Sequence, residues 1–321
     1  MNKAPNKAMK PTRPVAKPGF EFDVVGMGLN AVDHICVVPR FPKYEEKLRM
    51  VDFRKSPGGQ VASALAACAA WGLRARYIGK VGGDDLGAFS LASLAGAGID
   101  TSCVTTVQGV ANQFAFILVD ASTGERTIIW RRDPALEVKP GEVPVGAICS
   151  GRFLLLDGHD SEAAAVAAKR ASAAGVTVVV DAETIKPGTP DLVKHADYVI
   201  CSSDFPGRFT GESRPEEALK KLRASGPDCV VMTLGKEGAL ALQGRDYIRS
   251  RGFKVKCVDS TGAGDVFHGA FIYGLAKGWM LEQVLDFSNA AAALNCTALG
   301  ARGGIGPVEA ISDLMKRGRR W

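Results

Sequence analysis

Residues 153–181 read FLLLDGHDSEAAAVAAKRASAAGVTVVVD. Two short apolar runs, FLLLD and VTVVVD, flank an alanine-rich segment that closes on Gly175. Neither run alternates with polar residues, so each reads as a strand buried on both faces, and the segment between them reads as a helix. Strands of this kind, joined through helices, form a mainly parallel sheet covered on both sides.

The same rhythm extends in both directions. FDVVGMG (22–28), ARYIGKVG (75–82), ADYVICS (196–202) and CVVMTLG (229–235) are further strands. QVASALAACAAWG (60–72), DLGAFSLASLAGAG (85–98), VFHGAFIYGLAKG (266–278) and LEQVLDFSNAAAALNCTALG (281–300) are predicted helices, each closing on a glycine. Two regions break the pattern. DHICVVPRFPKYEEKLRMVDF (33–53) carries β-branched stretches separated by Pro39 and Pro42, and QFAFILVDASTGERTIIWR (113–131) is hairpin-like around STGE. Together they predict a small extra sheet, either a lid over a site or a cover for a sheet edge.

The bulk composition narrows the function. With 321 residues, 46% hydrophobic and 23% charged, the chain fits one large α/β domain or two smaller ones. No apolar run reaches the 18 or so residues of a membrane helix. The net charge of +6 sits in the termini: Lys3, Lys7, Lys10, Arg13 and Lys17 at one end, Lys316, Arg317, Arg319 and Arg320 at the other, so the body between them is net −3. Solvated basic tails at 1–20 and 316–321 are expected, not a nucleic-acid surface. The N-terminal segment lacks the apolar core of a secretory signal. The eight cysteines form no C-x-x-C pair and fall mostly in apolar runs, as small core residues of a reducing, cytoplasmic compartment do.

One nucleotide motif is matched in letters only, and a second is not matched at all. Gly26-Met27-Gly28-Leu29-Asn30-Ala31 fits G-x-G-x-x-A, with Asp52 about 20 residues on, but VDHICVV and two prolines follow where the fingerprint needs a helix. Neither Gly79-Lys80 nor Gly235-Lys236 has the upstream glycine of a Walker A loop. A third feature carries chemistry. In VDSTGAGDVFHGAF (258–271), apolar residues recur at helical spacing after Asp265, so Gly262, Ala263 and Gly264 stand at a helix N-terminus. Unhindered amides there converge on an anion. An acid in the same turn suits a hydroxyl, whose proton it accepts while the amides stabilise a phosphoryl group. A capping acid at a helix start would look the same.

DSTGAGDVFHGAF resembles the C-terminal signature of the ribokinase-like (PfkB) carbohydrate kinases, D-T-x-G-A-G-D-x-F. SPGGQVASALAACAAWGLRARYIGKVGGDDLG (56–87) resembles their N-terminal signature, GMGLNAVDHI (26–35) their first strand and sugar-contacting turn, VMTLGKEGA (231–239) their nucleotide-side turn, and NAAAALNCTALGARGGI (289–305) the helix and loop near their adenine. Within the family, GAGDVFHGA and C-T-x-x-G-x-R-x-G-I look most like ketohexokinase-like and sulfofructose-kinase-like members.

The resemblance implies a three-layer α/β/α sandwich over residues 21–315, with lid segments at about 33–55 and 111–133. It implies transfer of the ATP γ-phosphate to a primary hydroxyl of a sugar, with Mg²⁺, in a homodimer. Asp265 would be the base and Gly262, Ala263 and Gly264 the anion hole. Asp33, Asn30, Gly58, Gly59, Gln60 and Ser63 would contact the sugar, with Lys47, Trp130, Arg132 and His159 as lid-side and cleft readers. Thr233, Gly235, Gly238 and Asn289 would line the nucleotide. Asp259 and Thr261 would match a monovalent-cation loop, a K⁺ site in many members. Ser63 stands where the family's G-G-x-x-x-N has Asn, Ser260 stands for a Thr, and CSSDFPG (201–207) replaces the N-x-x-E that organises Mg²⁺, leaving Asp181, Glu183 or Asp204 as stand-ins through water. Lys47, Arg131 and Arg132 could equally solvate an exposed lid, and packing is the expected role of His268. A nucleoside kinase and a catalytically silent sugar- or nucleotide-binding homologue are the alternatives.

Overall fold

The computed structural model describes residues 19–321. The basic segment expected at 1–20 therefore lies almost wholly outside the described residues. In chain order the first half holds β1 (Phe22–Met27), β2 (Ala31–Val38), β3 (Asp52–Gly58), α1 (Gln60–Ala70), β4 (Ala75–Gly82), α2 (Asp85–Gly96), β5 (Asp100–Val107), β6 (Phe114–Asp120), β7 (Arg126–Arg131), α3 (Val145–Ile148) and β8 (Gly151–Asp157). The second half holds α4 (Ser161–Ala173), β9 (Thr177–Ala182), α5 (Thr189–Lys194), β10 (Tyr198–Ser202), α6 (Phe205–Thr210), α7 (Pro215–Ala224), β11 (Cys229–Thr233), β12 (Ala239–Gln243), β13 (Asp246–Ser250), α8 (Ala263–Ala276), α9 (Leu281–Asn295) and α10 (Val308–Arg317).

The main sheet has nine strands in the order β13-β12-β11-β10-β9-β8-β1-β4-β5. Its strands pair in parallel from β11 to β5, and β12 and β13 add an antiparallel edge. The unbroken apolar runs have a direct cause. Leu154 and Leu156 of β8 enter one core layer with the alanines of α4, while Phe153 and Leu155 enter the opposite layer with α1 and α8. Helices α1 and α8 pack closely because a side chain at Gly269 would run into the Ala64 carbonyl oxygen.

The two irregular regions form a separate four-stranded sheet, β3-β2-β6-β7. Its register decides which side chains point inward: Asp33 stands opposite Ala115, Ile35 opposite Ile117, Ala115 opposite Trp130 and Val119 opposite Arg126. The G-x-G-x-x-A stretch turns directly into β2 with no helix, and Gly28 abuts the Asp157 carboxylate.

Two expectations are corrected. The predicted helix 281–300 stops at Asn295, whose amide nitrogen donates to the Thr261 and Ala301 carbonyls (3.1 Å each) and so draws the following loop beneath α8. The basic tail expected at 316–321 is part of the fold. Helix α10 runs to Arg317, and the Arg320 guanidinium bonds both Asp286 oxygens (3.1 and 2.9 Å) over the face of Phe253. Of the four basic side chains, Arg320 is matched by a carboxylate and a ring from distant segments, while Lys316, Arg317 and Arg319 stay exposed.

Candidate active site

Gly262 caps α8 at φ 73°, in the left-handed region, and a side chain on it would collide with the Ala301 carbonyl oxygen. The position admits only glycine. Ala263 and Gly264 make the first turn, where amides have no preceding helical carbonyl and the helix dipole favours an anion. Beyond its neighbours and its own helix backbone, no protein atom lies within 4 Å of the place a Gly264 Cβ would take. Protein packing therefore leaves that space to a ligand.

Asp265 follows, half-buried. Burial pushes its carboxyl up to about 7, Asp181 and Asp33 add to the shift, and His268 and Arg126 oppose it. His268 Nδ1 lies 2.6 Å from the Gly264 carbonyl, which can only accept, so Nδ1 carries the proton. Its Nε2 faces Asp181 Oδ1 at 3.5 Å. Asp181 is held well above the usual carboxylate range by burial and by Asp157 and Glu183, while burial pushes His268 down. His268 is thus bonded within the first turn of α8, while its Nε2 faces the end of β9 with no hydrogen-bond partner.

A cavity of about 490 Å³ opens between the C-terminal ends of β1, β8, β9, β10 and β11 and the inner face of the small sheet. Open α/β sheets bind ligands at that end. Asp33, Gly59, Gln60, Trp130, His159, Thr261, Gly262, Gly264 and Asp265, all singled out in the sequence, line it. Asp33 packs on Gly58, where any side chain would collide with its carboxylate. Burial pushes Asp33 up to about 7 against the pull of Arg302.

Five expected sugar contacts are placed elsewhere. Ser63 is buried, and its hydroxyl accepts from Arg302 Nε at 3.2 Å. Gly58 gives its carbonyl to the same guanidinium at 3.0 Å, and Ser93 takes a third bond at 3.2 Å. Arg132 is bidentate to Asp160 (2.6 and 2.8 Å), two mutually desolvated charges that satisfy one another. Lys47 lies exposed on the loop between β2 and β3, away from the cavity wall. Asn30 is buried beside Tyr77, Lys80 and Gln113, and neither side-chain polar atom has a partner. In their place the cavity receives Arg126, which bonds Ser260 Oγ at 2.6 Å, and Gln113. Counting register back from Trp130 would have put Arg126 on the inner face, because side chains alternate along a strand.

A second cavity of about 290 Å³ meets the first at Thr233 and Gly264. Thr233, Gly235, Gly238 and Asn289 line it as expected, together with Ala263, Phe253, Phe267, Ala292 and Trp321. The Asn289 amide nitrogen donates to Ser250 O and Oγ (3.1 and 2.7 Å). Its walls are mostly apolar and its backbone turns are open, which suits a flat ring with a polar tail.

The expected cation loop is held together by its own hydrogen bonds. Both Asp259 carboxylate oxygens are engaged: Oδ1 accepts from Thr261 N (2.8 Å) and Oγ1 (2.6 Å), and Oδ2 accepts from Gly300 N (2.8 Å). Asp259 therefore ties the loop before α8 to the loop after α9. Asp204 pairs with Ser202 and Arg208 outside the cavity, whereas Asp181 and Glu183 stand on its wall. Among the described residues no three His, Cys, Asp or Glu side chains are grouped to hold a metal.

A family model described as pfkB family carbohydrate kinase matches residues 22–306. The 5-dehydro-2-deoxygluconokinase of Shouchella clausii is 29% identical over 299 residues, covering 86% of this chain and 90% of that protein. The crystal structure of ribokinase from Thermotoga maritima superposes with a TM-score of 0.80 at 27% identity, covering 92% of this chain and all of that one. The structure of Arabidopsis thaliana ribokinase complexed with ribose and ATP shares the fold, with a TM-score of 0.78 at 24% identity, covering 92% of this chain and 99% of that chain. These relatives bear names other than ketohexokinase or sulfofructose kinase, so that finer likeness rests on the motif residues alone. With the three-layer sandwich, the small sheet and the glycine-capped helix all in place, the chain belongs to the pfkB family of carbohydrate kinases.

Proposed function

We propose that the protein transfers the γ-phosphoryl group of ATP to a primary hydroxyl of an uncharged sugar. The observation that carries this reading is the meeting of two cavities at Gly264, with Asp265 in the larger one. The smaller cavity, apolar and open along its backbone turns, takes the nucleotide, and the larger one takes the sugar. The amides of Gly262, Ala263 and Gly264 face the phosphoryl group as its charge spreads. Asp265 accepts the hydroxyl proton, and a carboxyl near 7 is a stronger base than an ordinary aspartate. Asp33 orients the sugar through neighbouring hydroxyls, and Arg126 brings a cation from the lid. Mg²⁺ supplies charge neutralisation on the phosphates, and Asp181 and Glu183 would reach it through water. Loop carbonyls around Asp259 and Thr261 fit a K⁺ only outside the Asp259 carboxylate, which is already satisfied.

An uncharged acceptor follows from the wall itself. Asp33, Asp181, Glu183 and Asp265 line the cavity against the single arginine, Arg126. Carboxyls suit hydroxyls as hydrogen-bond partners, whereas an anionic sugar would call for cations, and Lys47 and Arg132 are both placed elsewhere. ADP release measured with ketoses, aldoses, sugar acids, sugar phosphates and nucleosides tests this. Turnover confined to sugar acids or sugar phosphates would defeat it, and turnover confined to nucleosides would favour the second reading, which rests on the cavity-lining Trp130 ring.

A homodimer fits the outer face of the lid. There Phe53, Phe116 and Ile129 are 50%, 43% and 61% exposed, and His34 stacks on Phe53 and Phe116. A second copy of the same sheet would cover this apolar face. All eight cysteines are free, in keeping with a cytoplasmic enzyme.

A further inference from the structure

Residues 319–321 are held as a short strand-like strip. Lys254 N donates to Arg319 O at 2.8 Å, Trp321 N donates to Gly252 O at 3.0 Å, and Phe253 and Arg320 form the bridge between them. Arg320 locks the strip to Asp286 and to the Arg251 carbonyl. The Trp321 ring is steadied by two ammonium groups, Lys254 Nζ at 4.9 Å and Lys236 Nζ at 5.3 Å from its centroid. The indole is thus ordered before any ligand arrives, yet 41% of the residue stays exposed. It lines the 290 Å³ cavity together with Phe253, Phe267, Asn289 and Lys236.

We propose that Trp321 is a nucleotide-binding residue, whose indole forms the surface on which the donor's purine base packs. The inference rests on the reading of the smaller cavity as the nucleotide site. An ordered, half-exposed aromatic is a preorganised surface, so a flat base covers it with little loss of side-chain freedom. Every base has a π-face, so the same surface serves any purine.

Calorimetric titration of the full chain with ADP tests this, beside Trp321→Ala and Trp321→Phe. The alanine variant is expected to raise the Kd for ADP about tenfold and the KM for ATP in step, with the KM for sugar unchanged. The phenylalanine variant keeps a ring and should lose less than about threefold. In both, the change in tryptophan fluorescence on adding ADP should disappear, although Trp71, Trp130 and Trp279 remain. An alanine variant that binds ADP as the wild type does would overturn the proposal, as would equal losses of ADP and sugar affinity, which mark a general packing effect. A wild-type protein that binds no ADP would instead remove the nucleotide reading, and this inference with it.

Discussion

At the scale of single residues, Asp265 and Arg302 behave in opposite ways. Asp265 was legible in the sequence because the stretch around it resembles a kinase signature, where an acid after three small residues alone could equally have been a helix cap. Asp265→Asn should lower kcat by at least about 100-fold while leaving the Kd for ADP within twofold, since a positioned base contributes about 10²–10⁴. Unchanged turnover would remove Asp265 from the chemistry. With its carboxyl near 7, kcat/KM should rise with pH up to about 7 and then level off, because only the ionised form accepts a proton. The same shift bears on stability. The folded state holds this proton more tightly than the unfolded chain, so the wild type loses stability as pH rises from about 4 to 7. Asp265→Asn removes that loss, so its gain in Tm over wild type should grow across this window and stay constant above it. A gain that shrank with rising pH would contradict the buried-carboxyl reading. Arg302 was not singled out as a functional residue. Its importance lies in Gly58, Ser63 and Ser93, acceptors on three different elements. Arg302→Met should cost about 2 kcal/mol in denaturant unfolding by leaving them unpaired.

At the scale of elements, the start of α8 separates two meanings of a glycine. Gly262 is required by the protein: its left-handed φ and the Ala301 carbonyl exclude a side chain. Gly262→Ala should therefore destabilise the fold by about 2 kcal/mol or more. Gly264 has open space beside it. Gly264→Ala should leave the melting temperature within about two degrees of wild type and lower kcat at least tenfold, by filling the place meant for the phosphoryl group. Melting curves and ADP-release rates of the pair check both. Equal stability losses would show that the two glycines serve packing alike. The sequence could not divide them, because the divider is Ala301, a residue from the loop after α9. The helix ends show the same limit: α1 stops near its glycine as expected, but α9 stops at Asn295 because its amide is recruited by carbonyls of two other loops.

At the scale of the whole molecule, the small sheet's two faces differ: Asp33, Trp130 and Arg126 point inward on the cavity, Phe53, Phe116 and Ile129 outward. Ile129→Glu should convert a dimer to a monomer in light scattering, with the monomeric fold intact by circular dichroism. A wild type that already runs as a monomer would refute the outward reading. The parallel sheet, the second small sheet and the glycine-capped helix were determined by the sequence itself. They rest on local quantities: unbroken apolar runs, the period of an apolar stripe, and amides that a helix start leaves unpaired. What only the tertiary structure decided is which polar side chains face the ligand. Ser63, Arg132 and Lys47 have the chemistry of sugar contacts, yet Arg302, Asp160 and open solvent claim them. A side chain's partner is set by whatever distant segment packs against it, and buried charges pair with the nearest complement whatever their motif suggests.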